Sequence, residues 1–86
     1  MVYADRFLDD ASRVWSGRLR IALANILANV EAFPDIGSRN VPASIKKEFG
    51  EGVRKVACEP FDVVYEYDEA SDAVFIYALI PMRSAR

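Results

Sequence analysis

The run Val74-Phe75-Ile76-Tyr77-Ala78-Leu79-Ile80 is apolar at every position, and no other stretch constrains the fold so tightly. It is far too short to cross a bilayer, which takes roughly 20 residues. It suits a strand, and a strand with no polar side must be covered on both faces. It therefore belongs in the interior of a sheet, with other elements above and below. The rest of the 86 residues has to supply that cover. A chain of this length supports one hydrophobic core, so residues 1–86 are read as a single domain.

The segments before this run supply its neighbours. Phe61, Val63, Tyr65 and Tyr67 alternate with Asp62, Val64 and Glu66, the period-two pattern of a half-buried antiparallel strand. Asp68 to Asp72 is a polar hairpin loop leading into the last strand. From Gly52 onward, Val53, Lys55 and Ala57 face one way and Arg54, Val56 and Cys58 the other, with Cys58-Glu59-Pro60 as the turn. Three strands thus form a sequential antiparallel meander. Pro81 stops the last of them, and Met82 to Arg86 trail away.

The N-terminal part is helical. Between Asp5 and Trp15, the residues Phe7, Leu8, Ala11, Val14 and Trp15 make one apolar helix face. Leu19, Leu23, Ile26, Leu27, Val30 and Phe33 repeat the spacing in a second helix from about Arg18 to Ala32, ended by Pro34. Ser16-Gly17 separates them by so little that they form either a tight hairpin or one kinked helix. Pro34 to Pro42 is a loop, and Ala43 to Phe49 a short helix begun after Pro42 and closed by Gly50 in a left-handed cap. Met1 to Ala4 is too short for periodicity to choose between a strand and a lead-in. The expected fold is α+β with all the helices on one face: an N-terminal helical hairpin or kinked helix, and the short helix, packed on a three-stranded antiparallel sheet, with a short extra N-terminal strand left open.

Composition narrows the chemistry. The hydrophobic fraction of 52% and ten aromatic residues are too rich for a disordered chain. Net charge is −2 and evenly spread, with four basic and five acidic side chains in residues 1–35 and seven and eight in residues 36–86. No basic arm is present, so phosphate backbones are not the default partner. Cys58 is the only cysteine and there is no histidine, which excludes an internal disulfide, a thiolate–imidazole pair and a Cys/His zinc site. No cofactor is implied, and a metal would need carboxylates alone. The N-terminus lacks a basic region followed by an apolar stretch, and a cytoplasmic protein with no membrane association is expected.

Four segments in order, Phe33-Pro34-Asp35-Ile36-Gly37, Gly52-Val53-Arg54-Lys55-Val56, Phe61-Asp62-Val63-Val64-Tyr65-Glu66-Tyr67 and Arg83, resemble the RelE/ParE toxin superfamily. Its members have a helical hairpin, a loop with proline and glycine, an arginine-bearing strand, a strand with an apolar-apolar-tyrosine pattern, and a last apolar strand followed by a basic residue. The resemblance covers roughly residues 5–84. It implies the toxin of a bacterial type II toxin–antitoxin system, of the plasmid-stabilization kind, which inhibits growth when free and is neutralised by a cognate antitoxin protein. The ParE branch binds and inhibits DNA gyrase. The RelE branch is an mRNA interferase that cleaves ribosome-bound mRNA.

By this resemblance the catalytic residues would be Arg54 and Arg83 as cations, with Tyr65 as a nearby hydroxyl. Cleavage would also need a base and an acid. Pro81 stands near where relatives carry histidine, and no tyrosine follows Arg83, so the acid–base pair is not evident. The expected function is therefore a ParE-like binding inhibitor, with a RelE-like endoribonuclease using Arg54 and Arg83 as the alternative. Whether the chain is an enzyme stays open, as does a homodimer. An anion site would require Arg54 and Arg83 to converge on one point. Other readings of these residues are structural: Arg54 pairing with Glu66 or Asp62 across the ladder, Arg83 as a solvated charge, and Tyr65 as a core aromatic. The antitoxin is expected in an apolar groove between the long helix and the sheet, bound as a helix or an added strand.

Overall fold

The computed structural model describes residues 1–84, ordered as β1 (Val2–Tyr3), α1 (Asp5–Ser12), α2 (Gly17–Ala32), a 3₁₀ turn at Pro34–Ile36, α3 (Ala43–Phe49), β2 (Arg54–Cys58), β3 (Phe61–Asp68), β4 (Ala73–Pro81) and a 3₁₀ turn at Met82–Ser84. The fold is α+β, and its sheet runs β1-β4-β3-β2. The meander of β2, β3 and β4 is antiparallel throughout. The open question at the N-terminus resolves as a fourth strand, with Val2 opposite Phe75 and Tyr3 opposite Ile76, parallel to β4.

β4 is interior, as its composition demands. Ile76 and Ala78 are fully buried, and Phe75 is half-buried. A bulge leaves Tyr77 unopposed, because Val64 faces Ala78 while Tyr65 faces Ile76. The extra residue shifts the strand's parity. Val74, Ile76 and Leu79 join one core with Phe7, Val14, Leu23, Val30, Val63 and Tyr65, whereas Tyr77, Ala78 and Ile80 join Val41, Ile45, Val53 and Val64 on the other face. The first core lies under α1 and α2, the second under α3. The expectation that all helices share one face is thus corrected. A strand apolar on both sides needs cover on both, and α3 is the element that supplies it.

Two ends of the apolar patterns also differ from expectation. α1 stops at Ser12, three residues before Trp15, and the Val14 N–H bonds the Ala11 carbonyl at 3.0 Å. The Arg20 Nε then takes the Val14 carbonyl at 2.7 Å, and the Ser16 hydroxyl caps α2 by accepting from the Leu19 N–H at 3.3 Å. Two separate helices result, the second capped by Ser16, not one kinked helix. The reversal sends Val14 into the core and leaves Trp15 91% exposed. Likewise Phe33, one residue past α2, is 65% exposed. Gly50 has the expected positive φ of 113°, but its ψ of 163° is extended, a region open essentially to glycine alone. Met82 does not trail away, since its N–H bonds the Pro60 carbonyl at 2.9 Å. Ala85 and Arg86, also read as a loose tail, lie outside the described residues. No helix among the described residues is long and apolar enough to cross a membrane.

β1 is too short to cover the whole outer edge of β4. Beyond it, the Asp10 carboxylate of α1 accepts the Leu79 N–H at 3.0 Å, so a side chain replaces the missing strand. Replacing Asp10 by Ala should leave that N–H without a partner and cost about 1–3 kcal/mol, whereas Asp10→Asn, which keeps an acceptor, should cost less. Urea unfolding of the two variants measures this, and an Asp10→Ala chain as stable as the parent would contradict it.

Candidate functional site

Tyr65 and Arg54 are paired residues of neighbouring strands, on the sheet face that carries α1 and α2. Both reach the loop that follows α2. The Tyr65 hydroxyl, fully buried, donates to the Pro34 carbonyl at 2.7 Å and accepts from the Gly37 N–H at 2.8 Å. The Arg54 guanidinium donates to the carbonyls of Asp35 at 3.2 Å and Gly37 at 3.1 Å, with the Asp35 carboxylate 3.9 Å away. One turn of chain, Pro34 to Gly37, is therefore clasped by two side chains of the sheet.

The clasp explains the glycine. A Cβ on Gly37 would stand 2.5 Å from the Tyr65 hydroxyl and 2.7 Å from its ring, too close for any side chain. Beyond Gly37, Ser38 and Lys55 exchange backbone hydrogen bonds of 2.9 Å in each direction, which covers the outer edge of β2 at one position. With its backbone held inward, the loop turns its apolar side chains outward: Ile36 is 47% exposed beside Phe33.

These contacts decide what the sequence-proposed site residues can do. Arg54 pairs with neither Glu66 nor Asp62, because its register partner is Tyr65 and the Glu66 carboxylate accepts from the Tyr77 hydroxyl at 2.8 Å. Its side chain is only 15% exposed. The Tyr65 hydroxyl has both its hydrogen-bonding roles filled. Burial pushes it above the ordinary tyrosine range, a rise that the Gly37 N–H and the Arg54 charge oppose. That is the wrong direction for a base near neutral pH. Arg83 is elsewhere: it is exposed, and with Glu59, Pro60, Phe61, Pro81 and Met82 it bounds an open cleft of about 880 Å³. Since Tyr65 faces Arg54 and Phe61 faces Pro81, about four strand residues, roughly 14 Å, separate the two ends. The structure brings Arg54 and Tyr65 together and sets Arg83 apart, so the convergence of the two arginines expected of an anion site is not found.

Two further titratable groups, Tyr77 and Cys58, are structural. Burial and the bond to Glu66 push the Tyr77 hydroxyl up to about 12, and its ring stacks on Phe49 at 5.8 Å, with the Arg6 guanidinium 5.3 Å over that ring. Cys58 is buried and its thiol is raised by that burial, which makes it inert at neutral pH. No group of three His, Cys, Asp or Glu side chains among the described residues is placed to hold a metal ion.

The apolar groove lies elsewhere than expected. It runs between α1 and α2 rather than between the long helix and the sheet, and is lined by Tyr3, Phe7, Leu8, Leu23, Ala24 and Leu27. Tyr3 and Leu8 are 39% and 52% exposed there. α1 holds to the stretch of β4 that β1 leaves uncovered through Asp10, so it stands apart from α2 and opens this channel; the helical periodicity carries no signal for that separation. No protein-family model, curated protein or solved structure matches the chain. The clasp has a direct test. Tyr65→Phe leaves the Gly37 N–H and Pro34 carbonyl unpaired in a closed site and should cost about 1–3 kcal/mol of unfolding free energy. Tyr67→Phe removes a hydroxyl bonded to Asp72 on the exposed hairpin and should cost no more than about 0.5 kcal/mol. Equal losses in chemical denaturation would contradict the assignment.

Proposed function

We propose that the chain is a growth-inhibiting toxin of the ParE-like binding kind, cytoplasmic and held inactive by a cognate antitoxin protein. The observation that carries this reading is the state of the residues a nuclease would need. Tyr65 and Arg54 are spent on holding the Pro34 to Gly37 loop, and Arg83 stands at the other end of the strands. Among what the chain offers outward are large apolar side chains: Phe33 and Ile36 on the clasped loop, and Tyr3 and Leu8 beside the helix groove. Surfaces of that composition serve protein recognition. The groove accepts an antitoxin helix, and the outer edge of β2 at the exposed Ala57 accepts an added strand.

Induced expression in a bacterial host tests the reading. Growth should stop and resume on co-expression of the antitoxin, and the purified chain should inhibit plasmid supercoiling by DNA gyrase while leaving ribosome-bound mRNA intact. Cleavage of that mRNA, abolished by Arg83→Ala, would establish the ribonuclease alternative instead. A chain that leaves growth unaffected would refute both.

A further inference from the structure

Trp15 is the only tryptophan, and at 91% it is the most exposed of the large apolar side chains among the described residues. An indole is a large apolar surface to leave in water, and tryptophan with arginine dominates the energetics of protein contacts. One cleft lies between Ser16, Arg18 and Leu19 at the start of α2 and the Glu59-Pro60 turn. A second cleft shares Glu59 and Pro60 and continues to Phe61, Met82 and Arg83. Arg18 and Arg83 therefore flank one turn, with Trp15 just ahead of Arg18 in the chain. Arg6, Arg13 and Arg54 each have a carboxylate within ion-pair distance, whereas Arg18 and Arg83, like Arg20 and Arg39, have none among the described residues.

We propose that this end of the molecule is the surface that grips the inhibited target, and that the target is a protein offering an apolar pocket for the Trp15 indole, rimmed by carboxylates that meet Arg18 and Arg83. The proposal rests on the growth-inhibitor reading and names its contact surface. Two guanidiniums with Glu59 between them, on a chain of net charge −2, are poor equipment for a phosphate backbone. A second copy docked symmetrically about this end would offer the two arginines a single carboxylate from the residues lining these clefts, that of Glu59. A carboxylate-rimmed protein pocket satisfies the indole and both cations at once.

The sole tryptophan makes the test simple. The full chain, labelled with 5-fluorotryptophan, has one fluorine resonance, to be followed on addition of DNA gyrase holoenzyme and, separately, of single-stranded poly(U). Gyrase should shift or broaden the resonance and poly(U) should not. In an Arg18→Glu/Arg83→Glu chain the affinity for gyrase should fall by about 30-fold or more. Trp15→Ala should lose growth arrest while its thermal midpoint stays within about 3 °C of the parent, because the side chain is outside the core. A Trp15→Ala chain that arrests growth as the parent does would overturn the surface and leave the functional reading standing. A resonance that responds to poly(U) and not to gyrase, or to protein concentration alone, would also overturn it, in favour of a nucleic acid or a second copy. A parent chain that never arrests growth would remove the functional reading and the surface with it.

Discussion

A strand with no polar side, placed near the end of a short chain, sets the terms for the rest of this structure. β4 needs a layer on each face and a partner on each edge. α1 and α2 supply one layer, α3 the other, β3 one edge, and the two residues of β1 with the Asp10 carboxylate supply the second. The bulge at Tyr77 lets the two faces of β4 carry different partners without a break in the ladder to β3. Each provision is small, and none could stand alone in a domain of this size.

The same economy governs the loop after α2. Only a long connection can carry the chain from α2, on one face, to α3, on the other, and an unheld loop of that length would expose its backbone beside the core. Tyr65 and Arg54 tie its first turn to the sheet, and Gly37 makes the close approach possible. Residues that would have served as a nuclease's hydroxyl and cation thereby act as a structural clasp. What is displayed outward is the exposed aromatics at the two ends of α2, the groove between the helices, and the guanidiniums of Arg18 and Arg83.

Much of the fold was legible in the sequence because period and breakers act locally. The alternation in Phe61 to Tyr67 placed Phe61, Val63, Tyr65 and Tyr67 on one face, and they do share the first core. Pro34 and Gly50 ended the helices they were expected to end. Trp15 was misplaced because helical spacing continues on paper past Ser12, whereas the chain must reverse to bring α2 onto the same sheet face. The one-faced placement of helices failed for a related reason: an apolar strand declares that it needs cover but not which element provides it. The site was less legible still. Arg54 was singled out as half of a pair with Arg83, and Tyr65 as a hydroxyl nearby, but the partners the two have are backbone carbonyls and an N–H of the loop, groups that carry no sequence signal.

Whether the clasp is what the geometry makes it decides the account, since the binding reading depends on Tyr65 and Arg54 being occupied. Native-state hydrogen exchange of the Gly37 amide addresses this directly, because that N–H has the buried Tyr65 hydroxyl as its acceptor. An amide held there opens only when the loop leaves the sheet. The account predicts protection comparable to the amides of β3, with Gly37 exchanging far more slowly than the exposed residues that follow Ser38. A Gly37 amide that exchanges as fast as those residues would contradict it, and would return the Tyr65 hydroxyl and the Arg54 guanidinium to the list of groups free to act on a ligand.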